Sequence, residues 1–349
     1  AYNQEELNKI MSNIANNSLT DAEIAYFVSG VSNCGMSLKE TIYLTKAIFN
    51  TGKKLLWGKE KAADKHSIGG IPGNRTTPIV VSICAASGVL MPKTSSRAIT
   101  SAAGTADTVE SIAKVDLSIE ELKRIVKKTG GCLAWGGSLG LAPADDKLIK
   151  VEKILRVDPQ PQLIASILAK KLAAGSKHIL IDLPYGEGAK VNHPEAKKLK
   201  KGFEEISKRL NLNVKVILTD GSQPIGNGIG PVLEMMDIIR VLSRNNPPQD
   251  LEKKSVLLSA IILEMTGKAK KGQGMQKAKE ILYSGRAFEK FLEIIKEQHG
   301  DISRLKFAKY HHAIQAHKSG KIAKIKNNEI NYLARIAGCP LDKEAGLYL

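Results

Sequence analysis

Aromatic residues make up only 5% of this 349-residue chain, and acidic side chains number 35 against 52 lysines and arginines. So few rings leave little to stack bases on, which weighs against a polynucleotide-binding surface even at a formal net charge of +17. The lysines fall in runs such as AKKLKKG and GKAKKGQG, read as solvated helical surface, with steering of small phosphorylated molecules as a second use of the charge. The four cysteines, Cys34, Cys84, Cys132 and Cys339, show no CxxC or Cys/His spacing and read as reduced thiols rather than a disulfide framework or zinc site. His311 and His312 are adjacent and so cannot share a helical face to hold a metal. No apolar run has bilayer-spanning length and AYNQEELNK is not a signal peptide, so a cytoplasmic protein without membrane contact is expected. Also missing are the Gly-Lys-Ser/Thr of a Walker loop and the GxGxxG of a dinucleotide fold.

Two segments are conspicuous instead: DKHSIGGIPGNRTT at 64–77 and KTSSRAITSAAGT at 93–105. Gly69, Gly70 and Gly73 can take positive φ and turn amides toward an anion. Lys65 and Arg75 supply charge, and Ser67, Thr76, Ser95, Ser96 and Thr105 supply hydroxyls. The pair predicts a phosphate site, although a glycine-rich polar loop read alone is equally a turn.

Around these segments the pattern is α/β. Capping boxes at Thr20 with Glu23 and Ser37 with Glu40 open helices, with Gly35 and Gly52 placed as C-terminal glycines. Leu38, Ile42, Thr45 and Phe49 share a face. Ser118 with Glu121 starts another helix that stops at Gly130 and Gly131, and Pro194 primes one with Ala196, Leu199, Phe203, Ile206 and Leu210 along one side. HILIDLP at 178–184 and the alternation Leu212, Val214, Val216, Leu218 read as strands, so the order strand, helix, strand predicts mainly parallel pairing. Residues 143–174 are helical again, and 243–250 reads as a surface loop.

DKHSIGG followed by SSRAITSAAGT, GLAPADD at 140–146, LIASILAKK at 163–171 and TDGSQPIGNGIG at 219–230 resembles the pyrimidine and thymidine phosphorylase superfamily, nearest to its AMP phosphorylases. The resemblance implies the nucleoside phosphorylase/phosphoribosyltransferase type of fold: a discontinuous helical domain (1–52 and 143–174), a larger α/β domain (53–142 and 175–310) with a mixed, mainly parallel sheet, and a partial C-terminal subdomain (311–349). It also implies a preceding N-terminal domain and a continuation past Leu349, so both ends read as incomplete. A homodimer through the helical domain, or a larger assembly, belongs to the same implication.

The chemistry implied is phosphorolysis of nucleoside 5′-monophosphates, AMP with CMP and UMP, to free base and ribose 1,5-bisphosphate. Inorganic phosphate is the co-substrate, and no metal or other cofactor is expected. By resemblance, inorganic phosphate lies on Lys65, Ser67, Thr77, Ser95 and Thr105. The nucleotide contacts Gly70, the run Ser96, Arg97, Ala98, Ile99, Thr100 and Ser101, then Thr105, Ser166, Lys170 and Lys190. Asp158 matches the family's proton donor, a role requiring a carboxyl kept neutral by burial or by an anionic neighbour; from the residues alone an Asp before Pro is a helix cap. Nucleoside-specific relatives carry Arg where Val151 stands and an aromatic residue at Lys190, and a lysine there suits a 5′-phosphate unless it is plain surface. His66 either touches ligand or orients its loop, Trp135 reads as core, and Asp107, Asp220 and Glu234 as loop or helix caps. Gly140, where many AMP phosphorylases have Asn, leaves local contacts open. A pyrimidine-nucleoside phosphorylase is the runner-up, ahead of a magnesium-dependent phosphoribosyltransferase and a basic nucleic-acid-binding protein.

Overall fold

A computed structural model describes residues 1–99 and 101–349; Thr100, one of the expected nucleotide contacts, lies outside the described residues. Three helices open the chain, α1 (Gln4–Ala15), α2 (Asp21–Cys34) and α3 (Leu38–Asn50). The Thr20 and Ser37 boxes both close, and Asn3 with Glu6 adds a third, so first-turn amides that lack an intrahelical partner are satisfied from side chains. Gly35 ends α2 at φ 68. Gly52 follows Thr51, the C-cap of α3, where a helix C-terminal glycine stands, but without the positive φ of a left-handed cap. A Cβ at Gly52 would stand 2.0 Å from the Leu141 carbonyl oxygen, so close passage of two chain segments is what excludes a side chain there.

The α/β part continues with β1 (Ala62–Ser67), α4 (Thr76–Ala86), β2 (Met91–Ser95), α5 (Thr105–Glu110), α6 (Ile119–Thr129) and β3 (Gly131–Trp135). The chain then returns to helices α7 (Pro143–Leu155) and α8 (Gln160–Ala173), parted by left-handed Arg156 at φ 56 and by Pro159. Next come β4 (Ser176–Tyr185), α9 (His193–Arg209), β5 (Asn213–Asp220) and β6 (Gly228–Ile229). Helices α10 (Pro231–Ser243), α11 (Gln249–Met265), α12 (Gly274–Tyr283), α13 (Arg286–Glu297) and α14 (Asn327–Ile336) precede a short β7 (Leu347–Tyr348). AKKLKKG lies on α9, whereas GKAKKGQG, expected as helical surface, is mostly the turn between α11 and α12.

Strands β1, β4 and β5 pair in parallel with β4 central, and β2 pairs with β3 in parallel. The two ladders meet where the Ala63 amide donates to the Leu90 carbonyl at 2.8 Å. The apolar run in β4 is what a strand covered on both faces requires. Strand β6 pairs antiparallel with β7, so the sheet content is mixed and mainly parallel.

One hydrophobic cluster joins α1–α3 with α7 and α8 through residues such as Leu7, Met11, Leu44 and Leu148. A second packs α4, α10, α11 and α13 under the sheet through Val80, Ile238, Leu258 and Phe291. The last helix and strand rest on β6 through Ile229, Ala334 and Cys339. Among the described residues no helix is long and apolar enough to cross a membrane.

Candidate active site

The carboxyl ends of β1 and β2, the start of α4, the α7–α8 elbow and the loop after β4 line one cavity of about 810 Å³. Parallel α/β sheets bind ligands at this edge because the loops leaving the strands converge there. Every described residue that the resemblance assigns to phosphate, nucleotide or proton donation is on its wall, whereas Gly73 and Thr76, read from the sequence as further anion donors, are not. From the β-side loops come Lys65, Ser67, Gly70, Thr77, Ser95 to Ile99, Ser101 and Thr105, and from the helices and the β4 loop come Asp158, Ser166, Lys170 and Lys190.

Lys65 is 1% exposed and donates to the Thr76 and Thr77 hydroxyls at 2.7 and 3.3 Å. Burial pushes its ammonium down to about 7 against the pull of Asp182, and Lys254, Lys93 and Arg75 push the same way. Helix α4 starts beside it without a side-chain cap. The Ser95 hydroxyl is buried without a hydrogen-bond partner among the described residues. A crowded ammonium, uncapped amides and an orphan hydroxyl are the donor set that a small anion satisfies.

Other expected donors are already engaged. Ser67 donates to Asp182 at 2.6 Å, so its single O–H points at a carboxylate; Thr219 also donates to Asp182 at 2.6 Å, and Lys254 lies 3.1 Å from it. Arg75 is not a free charge: it pairs with buried Glu234 at 2.5 Å and donates to the Ala103 carbonyl and the Thr105 hydroxyl. Arg97 forks onto Glu110 and lies over the Trp135 ring at 4.8 Å, so Trp135 both packs on the core and faces the cavity. Of the three glycines expected at positive φ, Gly70 (107°) and Gly73 (68°) adopt it and Gly69 does not. Asp107 caps its loop, accepting the Ala98 and Gly104 amides at 2.7 and 2.8 Å. Burial and the lysines around His66, Lys171 first, hold its imidazole well below the ordinary range, so it adds no charge near neutrality.

On the helical wall, buried Asp145 accepts from Ser166 at 2.8 Å and pairs with Lys170 at 2.6 Å. Asp158 forms an ion pair with Lys190. About a third of the Asp158 side chain (34%) is exposed, and its ion-pair partner is the Lys190 ammonium. Glu152, on the same wall, is pushed up to about 7 by burial and then by the charges of Asp145 and Asp158. Val151 does not line the cavity; it is 2% exposed in the helical cluster, so the substitution there acts from within a core.

Asp182, Asp145, Glu152, Glu234 and Lys254 are the groups that sequence reasoning missed or gave other duties. Asp182 was the most findable, a lone carboxylate inside an apolar strand. Lys254 gives no such signal, because its place beside Asp182 depends on how α11 packs.

The profile of the family described as "Glycosyl transferase family, a/b domain" matches residues 59–288. An AMP phosphorylase of Methanococcus aeolicus is 45% identical over 99% of this chain and 69% of its own length. A Ralstonia nicotianae protein provisionally named a thymidine phosphorylase is 46% identical over 98% of this chain and 68% of its own. Among solved structures, anthranilate phosphoribosyltransferase from Thermus thermophilus superposes with a TM-score of 0.72 at 17% identity, covering 86% of this chain and 97% of that one, a likeness of fold alone. At such identity over nearly its whole length, the chain belongs with the AMP phosphorylases in the glycosyl transferase family, and it is a pentosyl-transferring enzyme.

Proposed function

We propose that the protein cleaves nucleoside 5′-monophosphates, AMP foremost and CMP and UMP with it, using inorganic phosphate to give free base and ribose 1,5-bisphosphate. The observation that carries this reading is two separate cationic groups in one cavity. Lys65 sits with Ser95 and the uncapped start of α4, and Lys190, on the loop after β4, pairs with Asp158 of the α7–α8 elbow. An attacking phosphate and a 5′-phosphate need two such places, whereas a nucleoside needs one.

In this reading phosphate held at Lys65 attacks C1′, the C1′–O bond forms and the C1′–N bond breaks. The departing base takes the bonding pair and a proton from Asp158. Holding the reactants in line contributes about 7–11 kcal/mol of barrier reduction, and a positioned acid about 10²- to 10⁴-fold. Lys190 first holds Asp158; a 5′-phosphate dianion competes for that ammonium and leaves Asp158 among anions, the setting a proton-donating carboxyl needs. Phosphate is the co-substrate, and lysines rather than a metal supply the positive charge. A homodimer through the helical lobe accompanies the reading, with Tyr26 on that lobe 80% exposed; a monomer by light scattering would remove it.

The test is phosphate-dependent base release from a panel of nucleotides and nucleosides. Turnover of AMP far above adenosine and thymidine is expected. Ser166 and Lys170 on the wall favour a second reading, pyrimidine-nucleoside phosphorolysis. Thymidine turnover equal to or above that of AMP would put that reading first.

A further inference from the structure

Helix α14 lies outside the stretch matched by the family profile, residues 59–288, yet its polar side chains reach both anion loops. Asn331 is 6% exposed and stands between them. Its Nδ2 donates to the Gly70 carbonyl at 2.9 Å, and its Oδ1 accepts the Ala102 amide at 3.0 Å. The two backbone partners, one acceptor and one donor, fix which way the amide points. A turn earlier, Asn327 donates to the Gly221 carbonyl at 2.7 Å, and a turn later Arg335 donates to the Ile99 and Ser101 carbonyls at 3.3 and 3.2 Å.

No ladder of strand hydrogen bonds joins the described residues of the two segments; Arg75 ties them from the far end, donating to the Ala103 carbonyl at 2.7 Å and the Thr105 hydroxyl at 3.2 Å, and Asn331 is the tie at Gly70 and Ala102. Gly70 is held at φ 107, and Gly104 has Arg97 backbone 2.4 Å from where a Cβ would stand. Loops with little regular pairing move easily unless tied from outside. Their spacing matters because donors on each must converge on ligands in the shared cavity, and misplacement by about 1 Å costs on the order of 10²-fold in rate.

We infer that Asn331 is a positioning residue that, alongside the Arg75 bridge, sets the spacing of the Gly70 and Ala102 loops, acting on phosphate and nucleotide through those two backbone groups rather than by contact. The inference rests on the reading that these loops hold the phosphate-bearing ligands. A residue that served only to seat α14 would alter stability and leave ligand binding as it was.

The experiment uses the full chain with Asn331→Leu, which keeps the volume and removes both bonds, and Asn331→Asp, which keeps the acceptor for Ala102 and loses the donor to Gly70. Phosphate binding is titrated calorimetrically, AMP turnover is measured across both substrates, and thermal midpoints are recorded. Asn331→Leu is expected to weaken phosphate and raise both KM values on the order of tenfold, the scale of a lost buried hydrogen bond, with Asn331→Asp between it and wild type. Wild-type phosphate affinity and KM in both variants, with only the thermal midpoint lowered, would overturn the inference. Should Asn331→Leu not fold, Asn331→Asp decides by the same measurements. If wild type binds phosphate but releases no base from any nucleotide, the proposed function fails while the phosphate titration still judges Asn331.

Discussion

Lys65 is where pH should act on ligand binding. Its ammonium, pushed down to about 7 by burial, loses its proton as pH rises through neutrality, and a bound anion favours the protonated form. Anion affinity should therefore be full below about 7 and fall above it, by up to about tenfold per pH unit for one proton. Sulfate, which keeps its charge across this range, is the probe: its inhibition constant against phosphate should climb with pH in wild type. Glu152, pushed up to about 7, gains negative charge over the same interval and acts in the same direction. Lys65→Met separates the two, and sulfate inhibition as steep in that variant as in wild type would clear Lys65. A second prediction concerns the Asp158–Lys190 pair. Asp158→Asn should fold and bind AMP yet lose about 10²-fold or more in kcat, the scale of a general acid. Lys190→Ala should raise KM for AMP and leave adenosine nearly untouched; an equal penalty on both would remove its 5′-phosphate role. Near-normal kcat in Asp158→Asn, with the ionisation near 7 missing from the pH–rate profile of Glu152→Gln, would move acid duty to Glu152.

Elements show why some of this was legible and some was not. Capping boxes at Thr20, Ser37 and Ser118 were readable because donor and acceptor lie three residues apart and the physics is local. The run HILIDLP and the helix carrying Leu199 and Phe203 were readable because burial imposes its period on the chain. Gly52 does follow the Thr51 cap of α3, but its need for glycine is of the other kind: a helix end and a close crossing both favour glycine, and only the Leu141 carbonyl distinguishes them. Ser67 and Arg75 were recognised as cavity residues, but Asp182 and Glu234, which engage them, lie 115 and 159 positions away. No local pattern encodes such a partner. The α5 start makes this testable. A Cβ on Gly104 would meet the Arg97, Ala98 and Ser96 backbone at 2.4–2.6 Å, atoms that cannot yield as a flexible side-chain end can. Gly104→Ala should displace the 96–101 loop and cost about 1–3 kcal/mol in stability, as overpacking does. Its KM for AMP should rise as well. An unchanged thermal midpoint and KM would show that the loop relaxes freely.

At the scale of the molecule, the net charge of +17 has to be weighed against where the charge lies. Much of it is on exposed lysines of α9 and on the extended 305–326 segment, where Lys306, Lys309, Lys318, Lys321 and Lys324 are solvent-facing. Among the described residues, nine cationic side chains and three carboxyls line the cavity. The first set acts at a distance and is screened by salt; in the second, Lys65, Arg75, Lys93 and Lys171 are buried and act on contact, while Lys153, Arg156 and Lys190 stand at the solvent-facing side of the cavity. A polynucleotide would meet the surface set, since a duplex cannot enter about 810 Å³, whereas a mononucleotide reaches the cavity set. Raising ionic strength from about 0.01 M to about 0.1 M shortens the screening length from about 30 Å to about 10 Å. If the surface lysines steer small anions, kcat/KM for AMP should fall severalfold over that range while kcat stays constant, because steering changes encounter and not chemistry. Polynucleotide at equal phosphate concentration should inhibit weakly and lose its effect at the higher salt. Strong inhibition that persists there would mean that the surface charge serves a nucleic-acid partner, and the cavity would then account for only part of what the positive charge does.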